Sequence, residues 1–344
     1  MSRAVLIVGL ALSLASCGSD PADASGDAAS DPAVPELAIL TEYGGPDGGY
    51  DYLSVDSDAR RVFAAREFGV MAVDLDTGKV TDRLIEANDV SAVLPIAGTN
   101  EMLSTVYGDN EAVLFDRGTG EEIARIAVGE KPDAAAYDPD SGLAFVMNAG
   151  GNSISLIDVA DRAPVGTIAV GGKPEAGAID GKGHLFVNIE DTAEIAVIDI
   201  AARKVARRLP LPGCVEPTGI AYDALSDTLI SACHNGVAKL IDAGSGADKG
   251  TVQVGRNADG AIFDPGTRLA YIPAKEGTLT LFRLAETGVA GEPASVPTRY
   301  GARTAALDPA TGRVYLSTAD FTGGAADEDV ATPSTFRILE LGTK

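Results

Sequence analysis

Two histidines and three cysteines are all that 344 residues provide, and 27 lysines and arginines face 50 acidic side chains. So few imidazoles and thiols leave the usual ligand sets of transition metals unassembled. His184 begins one strand-like segment and His234 ends another, which puts them on opposite faces. The shortage of basic residues, with no Lys/Arg run interleaved with aromatics, disfavours a phosphate backbone as partner. The apolar run at residues 4–14 is too short to cross a bilayer as a stable helix. No serine stands in a nucleophile-elbow context, and no glycine-rich loop opens a helix to cradle phosphate.

What the chain has in abundance is repetition. Gly129-Glu-Lys-Pro132, Gly171-Gly-Lys-Pro174 and Gly213-Cys-Val-Glu-Pro217 each open a unit of about forty residues. An apolar strand follows each and ends in Asp138, Asp180 or Asp223. Near the end of each unit a Val/Leu/Ile run closes on Asp74, Asp116, Asp158, Asp199 and Asp242, spaced 42, 42, 41 and 43 residues apart, with Arg283 next at 41. Short alternating strands joined by Gly, Asn, Asp and Pro turns, repeated at this period, specify the blades of a β-propeller. Units start near Gly44, Ala87, Gly129, Gly171, Gly213, Gly255 and Tyr300, which predicts seven four-stranded blades. The last unit stops at its third strand, Phe336–Leu341, so the N-terminal segment 36–41 is expected to supply the fourth and close the ring, removing two exposed sheet edges. Small residues in the first strands suit the crowded axis.

The first residues read as an export signal: Met1-Ser-Arg3, the apolar run, then Leu14-Ala-Ser-Cys17. That last string resembles the bacterial lipoprotein cleavage box, which implies residues 1–16 as signal peptide and Cys17 as the lipidated N-terminus. Gly18 rather than Asp after Cys17 is similar to the outer-membrane sorting pattern, so the expected location is the outer membrane, facing the periplasm. Residues 17–35 are too poor in large apolar side chains to fold and read as a tether, leaving 36–344 as the propeller. Loss of Arg3 takes the formal charge from −23 to −24. In an exported setting Cys214 and Cys233 are expected to form a disulfide, since antiparallel pairing brings the entry of one strand beside the end of the next.

The strand Phe145-Val-Met-Asn148 resembles the string that names the YVTN β-propeller repeat family, and Tyr271–Ala274 and Tyr315–Thr318 are looser copies. With the Gly-x-x-Pro turns, the chain from 37 to 344 looks like a YncE-type propeller. The resemblance implies the fold and export; that family is functionally diverse, so it implies no activity.

Chemistry is expected on one rim, where first-strand entries and the hairpins between second and third strands meet the channel. Alignment on the strand-ending aspartates places Asp51, Asp133, Glu175 and Asp259 at one entry position, with Ser91, Thr218 and Arg303 in other units. Asp89, Lys131, Lys173, Glu216 and Asn257 stand two residues earlier. The hairpin side adds Arg66, Glu67, Asn148, Asn188, Glu190, His234, Lys275 and Asp320. A carboxylate ring could hold Ca²⁺, which takes six to eight oxygens; interleaving of Lys131, Lys173 and Arg303 would neutralise it, and no cofactor is expected. Insertions at 320–333 and 285–297 break the period, and the first should overhang the rim. The expected function is a monomeric, non-catalytic module that touches the membrane only through its lipid and binds a protein or small ligand at the rim. The alternative is a metal-dependent lactonase-like hydrolase using the rim carboxylates.

Overall fold

The computed structural model describes residues 33–286, 288–322 and 330–344. The segment 1–16 that reads as a signal peptide, Cys17 and nearly all of the expected tether lie outside these residues. So does the acidic stretch 323–329. Within the described chain, seven four-stranded antiparallel sheets follow one another in sequence. Blade three shows the plan: Pro132–Asp138, Leu143–Asn148, Ser153–Asp158 and Ala163–Ala169 pair in that order. The expected seven-bladed propeller is the fold observed.

The repeated aspartates are turn residues. Each third-strand Asp accepts the backbone N–H three residues on: Asp74 from Thr77 at 2.8 Å, Asp116 from Thr119 at 2.8 Å, Asp158 from Asp161 at 2.9 Å, Asp199 from Ala202 at 2.8 Å and Asp242 from Ser245 at 2.7 Å. This is how an Asx turn starts a hairpin. First-strand aspartates do the same, Asp56 from Ala59 at 2.9 Å and Asp138 from Ser141 at 3.1 Å. Three of that series also take an arginine from the following blade: Asp308 from Arg60 at 3.4 Å, Asp56 from Arg117 and Asp223 from Arg268. One side chain thus ends a strand and ties two blades.

The apolar core is seven separate layers, one at each blade junction. Phe145, Met147 and Leu156 of blade three pack on Leu185, Val187 and Ala196 of blade four. Phe63 and Val70 of blade one pack on Met102 and Val113 of blade two, and Tyr315 and Ile338 of blade seven pack on Val62 and Met71 of blade one. At the axis the first strands come so close that a Cβ at Gly219 would lie 2.3 Å from the backbone of Gly260 and Ala261. No larger residue fits there.

Closure works as anticipated, with shifted bounds. The fourth strand of blade seven is Ala38–Gly44, not 36–41, paired antiparallel with Arg337–Gly342 from Ala38 opposite Gly342 to Gly44 opposite Arg337. The pairing carries a bulge between Ile39 and Thr41. The region 285–297 is no loop insertion. It is a lengthened hairpin, in which Gly288–Pro297 pairs with Thr278–Ala285 as the fourth strand of blade six. Around the 320–333 insertion, Phe321–Thr322 pairs with Val330–Ala331.

Cys214 and Cys233 form the expected disulfide, with Cα atoms 5.5 Å apart and both residues buried. The bridge pins the loop entering blade five to the strand end beside His234.

Two outcomes follow. Deletion of residues 36–44 should expose the edge of Arg337–Gly342, lower the melting temperature and cause aggregation; a truncated protein that stays monomeric and melts as before would refute this closure. Unreduced, denatured protein should show no free thiol at Cys214 or Cys233. The double alanine variant should lose about 3 kcal/mol, or roughly 5 °C in melting temperature, for a loop of this size.

Candidate functional site

The entry positions aligned from sequence do converge. Asp51 of blade one, Asp133 of three, Glu175 of four, Asp259 of six and Arg303 of seven line one cavity of about 410 Å³, with Lys173, Thr218, Glu190, His234, Asn257 and Lys275. Tyr52 joins them and was not anticipated; its neighbour Asp51 is the only signal for it. The first strands aim these side chains at the axis because each enters its blade at the same register.

Other anticipated residues serve the frame. Asn148 is fully buried, and its amide donates to the Ser153 and Ser155 hydroxyls at 3.1 and 3.0 Å. Asn188 reaches from blade four to the Thr218 and Gly219 carbonyls of blade five at 2.9 and 3.0 Å. Asp89, Lys131, Glu216 and Asn257 hold the left-handed conformation, with φ between 50° and 58°. That repeat position is therefore a turn corner, and it carries most of its side chains away from the channel. Lys131 puts its ammonium 5.6 Å from the Tyr107 ring centroid. Glu216 pairs with His234 Nδ1 at 2.8 Å. Arg66 is buried outside the channel. Asp320 pairs with Arg337.

Lys131 was expected to interleave with the carboxylates and does not; its ammonium lies over the Tyr107 ring instead. Lys173 and Arg303 do interleave. Lys173 Nζ lies 2.8 Å from Glu175 and also contacts Glu190. Arg303 Nε lies 2.9 Å from Asp259, and its Nη2 3.9 Å from Asp51. Asp133 makes no ion pair among the described residues; the Ser91 hydroxyl is its hydrogen-bond partner. Asp51 Oδ1 is buried with no hydrogen-bond partner.

Burial, with like charge crowded beside it, sets the protonation. Burial, then the Asp259 carboxylate, raise Asp133 to about 6 against the pull of Lys173, Ser91 and Arg303. Burial, the Glu190 hydrogen bond and Asp133 push Glu175 up to about 10. Glu190 goes the other way: against burial, its bonds to Glu175 and Lys173 hold it below the usual carboxylate range. Glu175 and Glu190 therefore share one proton beside the Lys173 ammonium at neutral pH. Burial, opposed by Arg303, also raises Asp51, with Asp259 and Asp133 adding to it. Among the described residues no group of three or more His, Cys, Asp or Glu is arranged to hold a metal ion.

No protein-family model matches the sequence, and no curated protein does. Among solved structures, a chain of hydrazine synthase from Kuenenia stuttgartiensis superposes with a TM-score of 0.68 at 18% identity, covering 78% of this chain and 92% of its own length. A chain of the mitotic checkpoint complex superposes with a TM-score of 0.69 at 15% identity, covering 98% of this chain and 99% of its own. At such identities the likeness is one of fold.

Proposed function

We propose that this propeller is a non-catalytic binding module of the YVTN type, held at the outer membrane by a lipid on Cys17 and facing the periplasm. Its ligand, a small molecule or part of a protein, places a positively charged group in the channel mouth. The observation that supports this most is Asp133, a carboxylate in the channel cavity with other acids around it and no ion pair among the described residues. A cationic group there would relieve the repulsion that raises its proton affinity. The neighbouring carboxylates are already engaged by Lys173 and Arg303, which argues against a bare Ca²⁺ ion. The alternative, a metal-dependent lactonase-like hydrolase, would draw on the same rim carboxylates, of which Glu175 and Asp259 are paired with Lys173 and Arg303.

The pH dependence has a definite sign. Below about pH 6 Asp133 is protonated and offers a cation nothing; above it the charge is present. Binding of putrescine, measured by calorimetry, should tighten roughly tenfold from pH 5 to pH 8. The gain should vanish in Asp133→Asn, and millimolar Ca²⁺ should leave the melting temperature unchanged. Absence of binding at both pH values, or affinity independent of pH, would count against the reading. In the absence of ligand the same raised pKa makes Asp133 a stabilising proton site below about pH 4, and that contribution is lost as pH rises through about 6.

Anchoring has its own test. A Cys17→Ser variant should leave the membrane fraction and appear in the soluble one. Unchanged membrane attachment would remove the lipid from the proposal.

A further inference from the structure

A second cavity, of about 530 Å³, adjoins the channel mouth: Arg303 and Lys275 line both. Its character is different. Tyr50, Phe336, Phe321 and Ala331 contribute to its wall, drawn from blade one, blade seven and the hairpin that breaks the repeat, beside the carboxylates of Asp47 and Glu67.

The structure of this wall is firmly specified. Arg66 is completely buried, and a guanidinium out of water must have its donors used. It donates to the backbone carbonyls of Pro46 at 2.6 Å, Gly48 at 3.2 Å and Gly49 at 3.0 Å, which fixes the loop before blade one. Its other face lies 3.4 Å from the Phe336 ring centroid. Gly301, at φ +88°, lets Phe321 and Tyr50 approach. A Cβ there would stand 2.4 Å from the Phe321 ring and 2.7 Å from the Tyr50 hydroxyl. Tyr300 meets Phe321 edge-on at 5.5 Å and stays 45% exposed.

Three chemical zones therefore run in a row: the carboxylates of the channel, the cations Arg303 and Lys275, and the aromatic wall. The first asks for a cation. The buried Asp51 Oδ1, without a hydrogen-bond partner, asks there for a donor. The cations in the middle repel a purely cationic linker and donate to carbonyl or carboxylate oxygens. The last zone takes an apolar group. Both volumes fall in the range of small-molecule sites.

We propose that the two cavities form one site for a short peptide, with its ammonium in the channel mouth, its carbonyl or carboxylate oxygens beside Arg303 and Lys275, and an apolar side chain against Tyr50, Phe321 and Phe336. This rests on the reading of the channel mouth as a cation site and adds to it the class of ligand.

Calorimetric titration of the mature protein at pH 8 tests it with two probes, lysyl-phenylalanine and lysyl-alanine. The first should bind at least tenfold more tightly. Phe321→Ala, a half-buried residue on a two-residue strand, should keep the melting temperature and bring the two probes within threefold of each other. Asp133→Asn should weaken both probes alike. Equal affinities in the unaltered protein, or a preference that survives Phe321→Ala, would overturn the peptide site while leaving the cation site standing. Failure of both probes to bind would overturn both.

Discussion

Each blade has two apolar faces and can bury neither of them alone. Phe145 and Met147 point to blade four while Ala144 and Val146, on the other face of the same strand, point to blade two. Burial is complete only when every blade has two neighbours, which in a chain of seven demands a ring. The alternation of a β-strand makes this inevitable once both faces are hydrophobic. Everything else depends on that closure: the strand shared between the chain ends, the arginines that bridge blades at Asp56, Asp223 and Asp308, and the small residues that let seven first strands meet at one axis.

The same constraint explains what could be read from the sequence. The aspartates that marked the period are visible because an Asx turn starts the hairpin after the third strand in blades one to five, while Arg283 stands at that place in blade six. Since they fix the register of each strand, they also place Asp51, Asp133, Glu175 and Asp259 on the axis without knowledge of any contact. The position two residues earlier looked equivalent but is not. There the backbone is left-handed at Asp89, Lys131, Glu216 and Asn257, and of these four only Asn257 lines the channel cavity. Asn148 and Asn188 looked like rim donors and are hydrogen-bonded inside the frame, because a buried amide at a strand end is secured by its nearest hydroxyls and carbonyls.

The aromatic cavity was the least legible part. Its wall joins the loop 46–49 to Phe321 and Phe336, segments nearly a whole chain apart that meet only because the ring closes between them. Arg66 stood in the alignment as a rim charge. Its actual work is to bind three carbonyls of one loop, and nothing in a repeat pattern distinguishes a solvated arginine from a buried one. The acidic overall balance foretold a site hostile to anions, yet the local mixture of Lys173, Arg303 and five carboxylates gives the channel its particular proton affinities.

The pairing of Ala38–Gly44 with Arg337–Gly342 has a kinetic side. Tyr43 and Glu340, joined by a hydrogen bond, are 297 residues apart in sequence. The strand synthesised first is thus the one whose partner is synthesised last. Until then both sheet edges and the outer apolar faces at the seam stay open to other chains. Such long-range pairing is slow, because loop-closure entropy is spent before the contact forms. A chain of this kind carries an aggregation-prone edge from its first blade to its last, for as long as the seam takes to form.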